Sequence, residues 1–401
     1  MANEDKEIET IPVGPLALIP LKSIEGLGKK VDAYLSAWRT ARQSEHKNTL
    51  PFAGYQKESY ILGAHLSRFG TGEGKGTILE SVRGKDLYIM VDVCNYSLTY
   101  SLCGMMNHMS PDDHYQDLKR VISAAAGRAR RINVIMPYLY EGRVSKRSGR
   151  ESLDCAMALK ELTNMGVETI ITFDAHEPRV MNAIPMNGFE TVQPTYQFTK
   201  ALLNACPELK VDSEHMMVVS PDEGGMGRAI NMANLLGLDV GMFYKRRDYT
   251  QSINGRNPVV AHEFLGTDID GKDMLIIDDL ISSGDSAREV ARELKHRGAG
   301  RVFILATFGL FTNGLAQFDR YYEDGIIDRI LTTNLVYQSP ELLSRPYYIN
   351  VDMSKYIALI IDNLNHDLSI SEFLSPTERI GRFLKAHRER QEAAEAEKAE
   401  K

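Results

Sequence analysis

An α/β fold of two domains with mostly parallel sheets follows from three features of the sequence. From about residue 86 onward, short runs rich in Val and Ile alternate with amphipathic stretches. The runs are continuously apolar rather than alternating, which suits parallel strands covered on both faces. At 401 residues the chain also exceeds one ordinary domain. Strands alternating with helices mean βαβ units and a doubly wound sheet.

Taken in order, the expected strands are Leu87–Val93, Ile132–Pro137, Thr169–Phe173, Met216–Ser220, Val240–Phe243, Met274–Ile277, Val302–Thr307 and Arg329–Thr332. Helical periodicity covers Asp117–Arg130, Glu151–Asn164 and Arg228–Leu236. A further helix follows Asp278, where Ala287, Val290, Ala291 and Leu294 fall on one face and Gly298 stops it. So many strands are excessive for one small sheet, and the run divides between Glu190 and Leu203. The expected organisation is a flexible N-terminus (1–14), two α/β domains (15–195 and 196–380) and a charged tail (381–401). Trp38–Tyr55 is polar and poorly periodic and reads as a loop or insertion. The tail from Lys385, almost all Ala, Glu, Lys and Arg, reads as an exposed helix or a disordered segment without chemistry.

Composition narrows the function. A net charge of -7 argues against a broad nucleic-acid surface. Cys94, Cys103, Cys155 and Cys206 have no C-x-x-C spacing, which argues against structural zinc and a disulfide framework. There is no membrane-length apolar run, and the acidic start lacks a signal-type core, so the chain reads as cytoplasmic.

In open parallel sheets, ligands bind beyond the carboxyl ends of the strands. The most informative such place is Met274–Ser286. Asp278 and Asp279 close an apolar strand, and Ser282-Ser283-Gly284 turns into a helix beginning near Asp285 and Ser286. Free N–H groups and the positive dipole end of a helix suit an anion, while carboxylates reach sugar hydroxyls or a hydrated metal ion. A ribose-phosphate site fits; so does a plainer reading in which Ser286 caps the helix and the aspartates are solvated. Ser220-Pro-Asp222-Glu-Gly-Gly225 is a second strand-turn-helix, whose glycines permit close backbone approach. Asp174-Ala-His176 follows another apolar run. Tyr244–Asp248 carries Lys245, Arg246 and Arg247, either a cationic clamp or a solvated basic turn, and the stretch to Asn257 suggests mobility. The basic loop Arg143–Arg150 fits a polyphosphate guard, a solvent-facing segment or a subunit contact.

These segments carry a resemblance to the ribose-phosphate diphosphokinase (phosphoribosyl pyrophosphate synthetase) family, from about Phe69 to Leu374. Phe69-Gly-Thr-Gly-Glu73, Met136-Pro-Tyr138, Asp174–His176, Val219–Gly225, Lys245–Arg247, Asp278–Ser286 and Ala306–Phe311 stand in the family's order. The resemblance implies two domains of type I phosphoribosyltransferase fold. It implies Mg2+-dependent transfer of the ATP pyrophosphoryl group to O1 of ribose 5-phosphate, with AMP as the other product. Carried over by position, Lys245 and Arg247 are catalytic cations, and His176 and Asp222 hold the metal. Phe69, Glu73, Tyr140 and His176 bind ATP. Asp278, Asp279, Ser282, Ser283, Gly284, Asp285 and Ser286 bind the ribose and its phosphate. The resemblance also implies a homo-oligomer, often hexameric, in which Phe69 reaches a neighbour's nucleotide.

Departures concentrate on nucleotide recognition. Tyr140, Glu141 and Gly142 stand where the family has an Arg-Gln-Asp run, and Thr71 replaces its adenine-reading Asp. Asp285 replaces a glycine of the phosphate loop, and Phe308 replaces a His. An active diphosphokinase and a weak or inactive homologue that regulates true synthetase subunits both fit. A base-linked phosphoribosyltransferase leaves Lys245, Arg247 and Asp174–His176 without a role.

Overall fold

The computed structural model describes residues 10–42, 52, 54–147, 149–247, 259–374 and 376–399. The described residues fall into two compact units: those up to Gln193 with Asn334–Tyr337 and 352–374, and those of Pro194–Thr333 with Gln338–Val351 and 376–399. The chain crosses at Gln193–Pro194 and returns twice, so the units are not two contiguous halves.

The strands of the first unit are β1 (Leu16–Pro20), β2 (Ala64–Arg68), β3 (Gly74–Ile78), β4 (Asp86–Met90), β5 (Thr99–Leu102), β6 (Met105–His108), β7 (Arg131–Ile135), β8 (Thr169–Phe173) and β9 (Gly188–Val192). Five make a sheet in the order β1-β4-β7-β8-β9, all parallel, so each crossover moves one strand along without reversing. Its helices are α1 (Glu25–Ala41), α2 (Pro111–Ala125) and α3 (Asp154–Asn164). β2–β3 and β5–β6 are separate antiparallel hairpins. The helix expected over Asp117–Arg130 starts earlier, because Ser110 and Asp113 form a reciprocal cap and Pro111 occupies the first turn. α1 overturns the loop reading at its start: Trp38 to Ala41 are helical, with Trp38 buried. Residues 43–51 and 53 lie outside the described ones.

The second unit has β10 (Met216–Ser220), β11 (Asp239–Arg247), β12 (Val259–Leu265), β13 (Asp273–Ile281), β14 (Val302–Gly309), β15 (Arg329–Thr333) and β16 (Tyr348–Val351). They form one sheet, β12-β11-β10-β13-β14-β15-β16, parallel except for β12. α4 (Thr195–Ala205), α5 (Met226–Leu236), α6 (Asp285–His296), α7 (Ala316–Glu323) and α8 (Pro340–Leu343) belong to it. α6 buries Ala287, Val290, Ala291 and Leu294, the stripe read from the sequence. No described helix is long and apolar enough to cross a membrane, and the four cysteines are free thiols.

Two C-terminal segments settle against earlier parts of their units. α9 (Ser354–Asn365) returns to the first unit and packs on α1. There Arg39 donates through Nε and Nη2 to Asp362 Oδ1 at 3.0 and 2.9 Å, with both side chains no more than 2% exposed. Arg42 reaches the other carboxylate oxygen at 2.5 Å. Burial alone raises the Asp362 pKa, but these two guanidinium groups hold it below the usual range. After α10 (Ser371–Leu374), α11 (Thr377–Ala399) packs on α4 and α5. Ile380, Leu384 and His387 are buried, and His387 Nε2 meets the Leu209 carbonyl at 3.0 Å. The expected solvated tail from 381 is therefore docked at its start, because these residues share one helical face.

Candidate active site

Strand order locates the site. In the second sheet the chain runs outward from β10 to β11, then returns to place β13 on the other side of β10. The strand order reverses between β10 and β13, which makes their carboxyl ends a topological switch point. The first sheet has no such reversal. β10 stops at Ser220, whereas β13 runs on beside β14, pairing Asp278 with Ala306, Leu280 with Phe308 and Ile281 with Gly309. Asp278 and Asp279 thus lie inside a longer strand than expected, past the end of β10.

The carboxylates at this edge crowd one another. Asp278 Oδ1 accepts from the Asp279 N–H at 2.9 Å. Burial, then the Asp279 charge and more weakly the Asp222 charge, push the Asp278 carboxyl well above its ordinary range. Asp222 sits in the turn after β10, where its Oδ1 accepts from the Gly225 N–H at 3.1 Å. The oxygens of Asp278 and Asp279 suit sugar hydroxyls, whereas among the described residues the group whose ligand atoms lie close enough to share one metal ion is Asp212, Glu214 and His215, away from these strand ends. Arg228, in the first turn of α5, approaches Asp279 Oδ2 at 3.4 Å. The sequence reading missed Arg228 as a site residue. Its signal was a cation at a helix N-terminus, where the dipole disfavours positive charge.

The second anion feature is the turn Ser282-Ser283-Gly284 leading into α6. Gly284 is left-handed at φ +79°, and a Cβ there would stand 2.2 Å from Phe318 Cζ. The turn therefore requires glycine and aims the helix N-terminus beyond the strand ends. Ser286 does not cap α6: the N-cap is Gly284 and no side-chain cap bond forms. Ser283 Oγ instead donates to Asp285 Oδ2 at 2.7 Å.

The backbone of Lys245 and Arg247 extends β11 past the end of β10, opposite His262 and Val259 of β12. Their side chains and the whole of residues 248–258 lie outside the described ones.

In the first unit, Phe69 and Glu73 close the β2–β3 hairpin. Phe69 N–H donates to the Glu73 carbonyl at 2.8 Å, and the Phe69 ring is 56% exposed. Thr71 Oγ1 donates to Glu73 Oε2 at 2.9 Å. His176 is exposed after β8, following Asp174, a buried residue with a left-handed φ of +39°. Such strain persists only where surrounding structure enforces it. The next residue, Glu177, accepts from Arg179 Nε at 2.8 Å and from Lys146 of the basic loop at 2.7 Å. These cations, Arg179 foremost, hold its carboxyl far below the usual range. Tyr140 has partners of its own: its ring stacks on Tyr115 at 4.2 Å and its hydroxyl donates to Asp112 at 2.5 Å. One ring face is therefore already covered.

Two family models match the chain. One describes the N-terminal domain of ribose phosphate pyrophosphokinase and covers residues 16–166; the other, a phosphoribosyl synthetase-associated domain, covers residues 256–375. The chain belongs to the ribose-phosphate pyrophosphokinase family. Ribose-phosphate pyrophosphokinase of Vibrio parahaemolyticus is 29% identical over 313 residues, 77% of this chain and 90% of that protein. The Shewanella oneidensis protein of the same name is 29% identical over 317 residues, 78% of this chain and 90% of its own length. Phosphoribosylpyrophosphate synthetase from Mycobacterium smegmatis shares the fold at a TM-score of 0.66. That match has 21% identity and spans 87% of this chain and 98% of the solved one. The fold is accordingly that of two type I phosphoribosyltransferase-like α/β domains with mostly parallel sheets.

Proposed function

We propose that the chain is a ribose-phosphate diphosphokinase, transferring the ATP pyrophosphoryl group to O1 of ribose 5-phosphate and giving phosphoribosyl pyrophosphate and AMP. The carrying observation is the switch-point crevice of the second unit, where Asp278 and Asp279 adjoin a helix-opening turn of small hydroxyl residues. Relatives named ribose-phosphate pyrophosphokinase, matched over nine-tenths of their length, support the same reading.

Asp278 and Asp279 accept hydrogen bonds from the ribose hydroxyls, which fixes the sugar over the strand ends. Ser282, Ser283, Gly284, Asp285 and Ser286 hold the 5-phosphate through amides and hydroxyls at the positive end of α6. Mg2+ is the assigned metal, a hard cation that neutralises polyphosphate charge. Asp222 and His176 are its assigned contacts by family resemblance. Phe69, Glu73 and the open face of Tyr140 are assigned to the nucleotide. The exposed Phe69 supports a homo-oligomer. Lys245 and Arg247 stabilise the negative charge that develops on the transferred group and on departing AMP.

A catalytically weak regulatory homologue is the second reading, favoured by the Asp285 carboxylate in the phosphate turn. Phosphorus NMR of the purified chain with Mg2+, ATP and ribose 5-phosphate separates the two. AMP and a pyrophosphorylated ribose should appear together. Lys245→Ala or Arg247→Ala should abolish turnover with little change in substrate affinity. Silence from folded protein with every nucleoside triphosphate would transfer the assignment to the regulatory reading.

A further inference from the structure

The ribose-phosphate reading leaves a difficulty, because Asp285 puts a negative charge into the turn assigned to a phosphate. α6 also carries the means of offsetting it. Arg288, one turn later, is nearly buried, and its Nη2 donates to Asp285 Oδ1. Its Nε donates to the Gly284 carbonyl at 3.3 Å. The guanidinium lies over two rings of α7, 5.5 Å from the centroid of Phe318 and 5.6 Å from that of Tyr321. Phe318 is the ring that forbids a side chain at Gly284. One aromatic wall therefore sets both the turn and the direction of the cation.

An ordinary surface pair three residues apart contributes little and needs no such housing. A cation in the first turn of a helix opposes the dipole, and burying it there demands a countercharge. We infer that Arg288 is a positioning residue for the phosphate turn: it draws the Asp285 carboxylate back along α6 and offsets its charge, so that the α6 amides remain available to a phosphate monoester. The inference rests on the ribose-phosphate reading of this turn.

Calorimetric titration with ribose 5-phosphate tests it on the full chain, using Arg288→Gln, Asp285→Asn and the double variant. Arg288→Gln should weaken binding about tenfold, since the carboxylate is then free to face the phosphate. Asp285→Asn should tighten binding a few-fold, and the double variant should return to within about threefold of the parent. Arg288→Lys, which keeps the charge but loses the planar fork, should fall between parent and Arg288→Gln. Melting temperatures are read alongside. A double variant as weak as Arg288→Gln would make the residue merely structural and overturn the inference. So would parental affinity in Asp285→Asn, a measurement that stands even where Arg288→Gln fails to fold. Parent protein that binds no ribose 5-phosphate would overturn the reading of the turn, and this inference with it. Parental binding with no pattern across the variants overturns the inference alone.

Discussion

Gly284→Ala concentrates two costs in one methyl group. At φ +79° an alanine pays about 1–2 kcal/mol for the left-handed region. Its Cβ would also stand 2.2 Å from Phe318 Cζ, well inside any tolerable contact. Phe318 cannot swing away freely: it is buried, packs edge-on against Phe311 at 5.2 Å and supports the Arg288 guanidinium. Overpacking of that kind costs about 1–3 kcal/mol, so the substitution should destabilise the α6 turn by about 2–5 kcal/mol. Hydrogen exchange of the first α6 amides should accelerate accordingly, and the circular-dichroism unfolding midpoint should fall. Adding Phe318→Leu should recover the steric part and leave the backbone part. Parental exchange rates and midpoint in Gly284→Ala would refute the account of this turn.

Two further predictions concern the first unit. Asp362→Asn leaves Arg39 buried without its countercharge and should cost about 3–5 kcal/mol, read from the fluorescence of Trp38, the chain's one tryptophan. A loss below 1 kcal/mol would mean that α9 is held by apolar packing instead. Asp92 is 1% exposed, and burial pushes its carboxyl up to about 7, although the Cys94 and Tyr337 N–H groups pull it down. A raised carboxyl favours folding while protonated, so its contribution is lost as pH rises from the ordinary carboxyl value of 3.8 toward 7, by at most about 4 kcal/mol. Asp92→Asn should therefore flatten the stability profile between about pH 4 and 7. An unchanged slope in urea titrations would show that Asp92 is ionised in the folded protein.

Much of the architecture was legible because buried parallel strands leave a local trace. Thr169–Phe173 and Met216–Ser220 were read with the bounds of β8 and β10, since an apolar Val, Ile or Met run has few other uses. The strand before Asp278 was read too short, because the polar residues that end its apolar run still pair with β14. β1 and α1 were missed. β1 has five residues and ends in proline, and α1 interleaves its buried positions with many charges. At the site, residue types that resemble a phosphate turn were recognisable, whereas Arg228 and Arg288 were not. Arg228 meets Asp279 only once α5 and β13 are assembled, and Arg288, although only three residues from Asp285, is seated over Phe318 and Tyr321 only once α6 packs on α7.

Chemistry that depends on neighbours in sequence was thus available from the amino acids alone: the apolar strands, the α6 stripe, the acidic pair and the glycine turn. Folding added whatever depends on residues far apart. The chain order of the strands does not reveal that β13 lies beside β10, yet that pairing creates the switch point. Nor does local sequence reveal that Asp362 pairs with Arg39, 323 positions earlier, and carries α9 back to the first unit. Such pairings are chosen by burial and charge balance summed over a whole unit, and no stretch of the chain contains that sum.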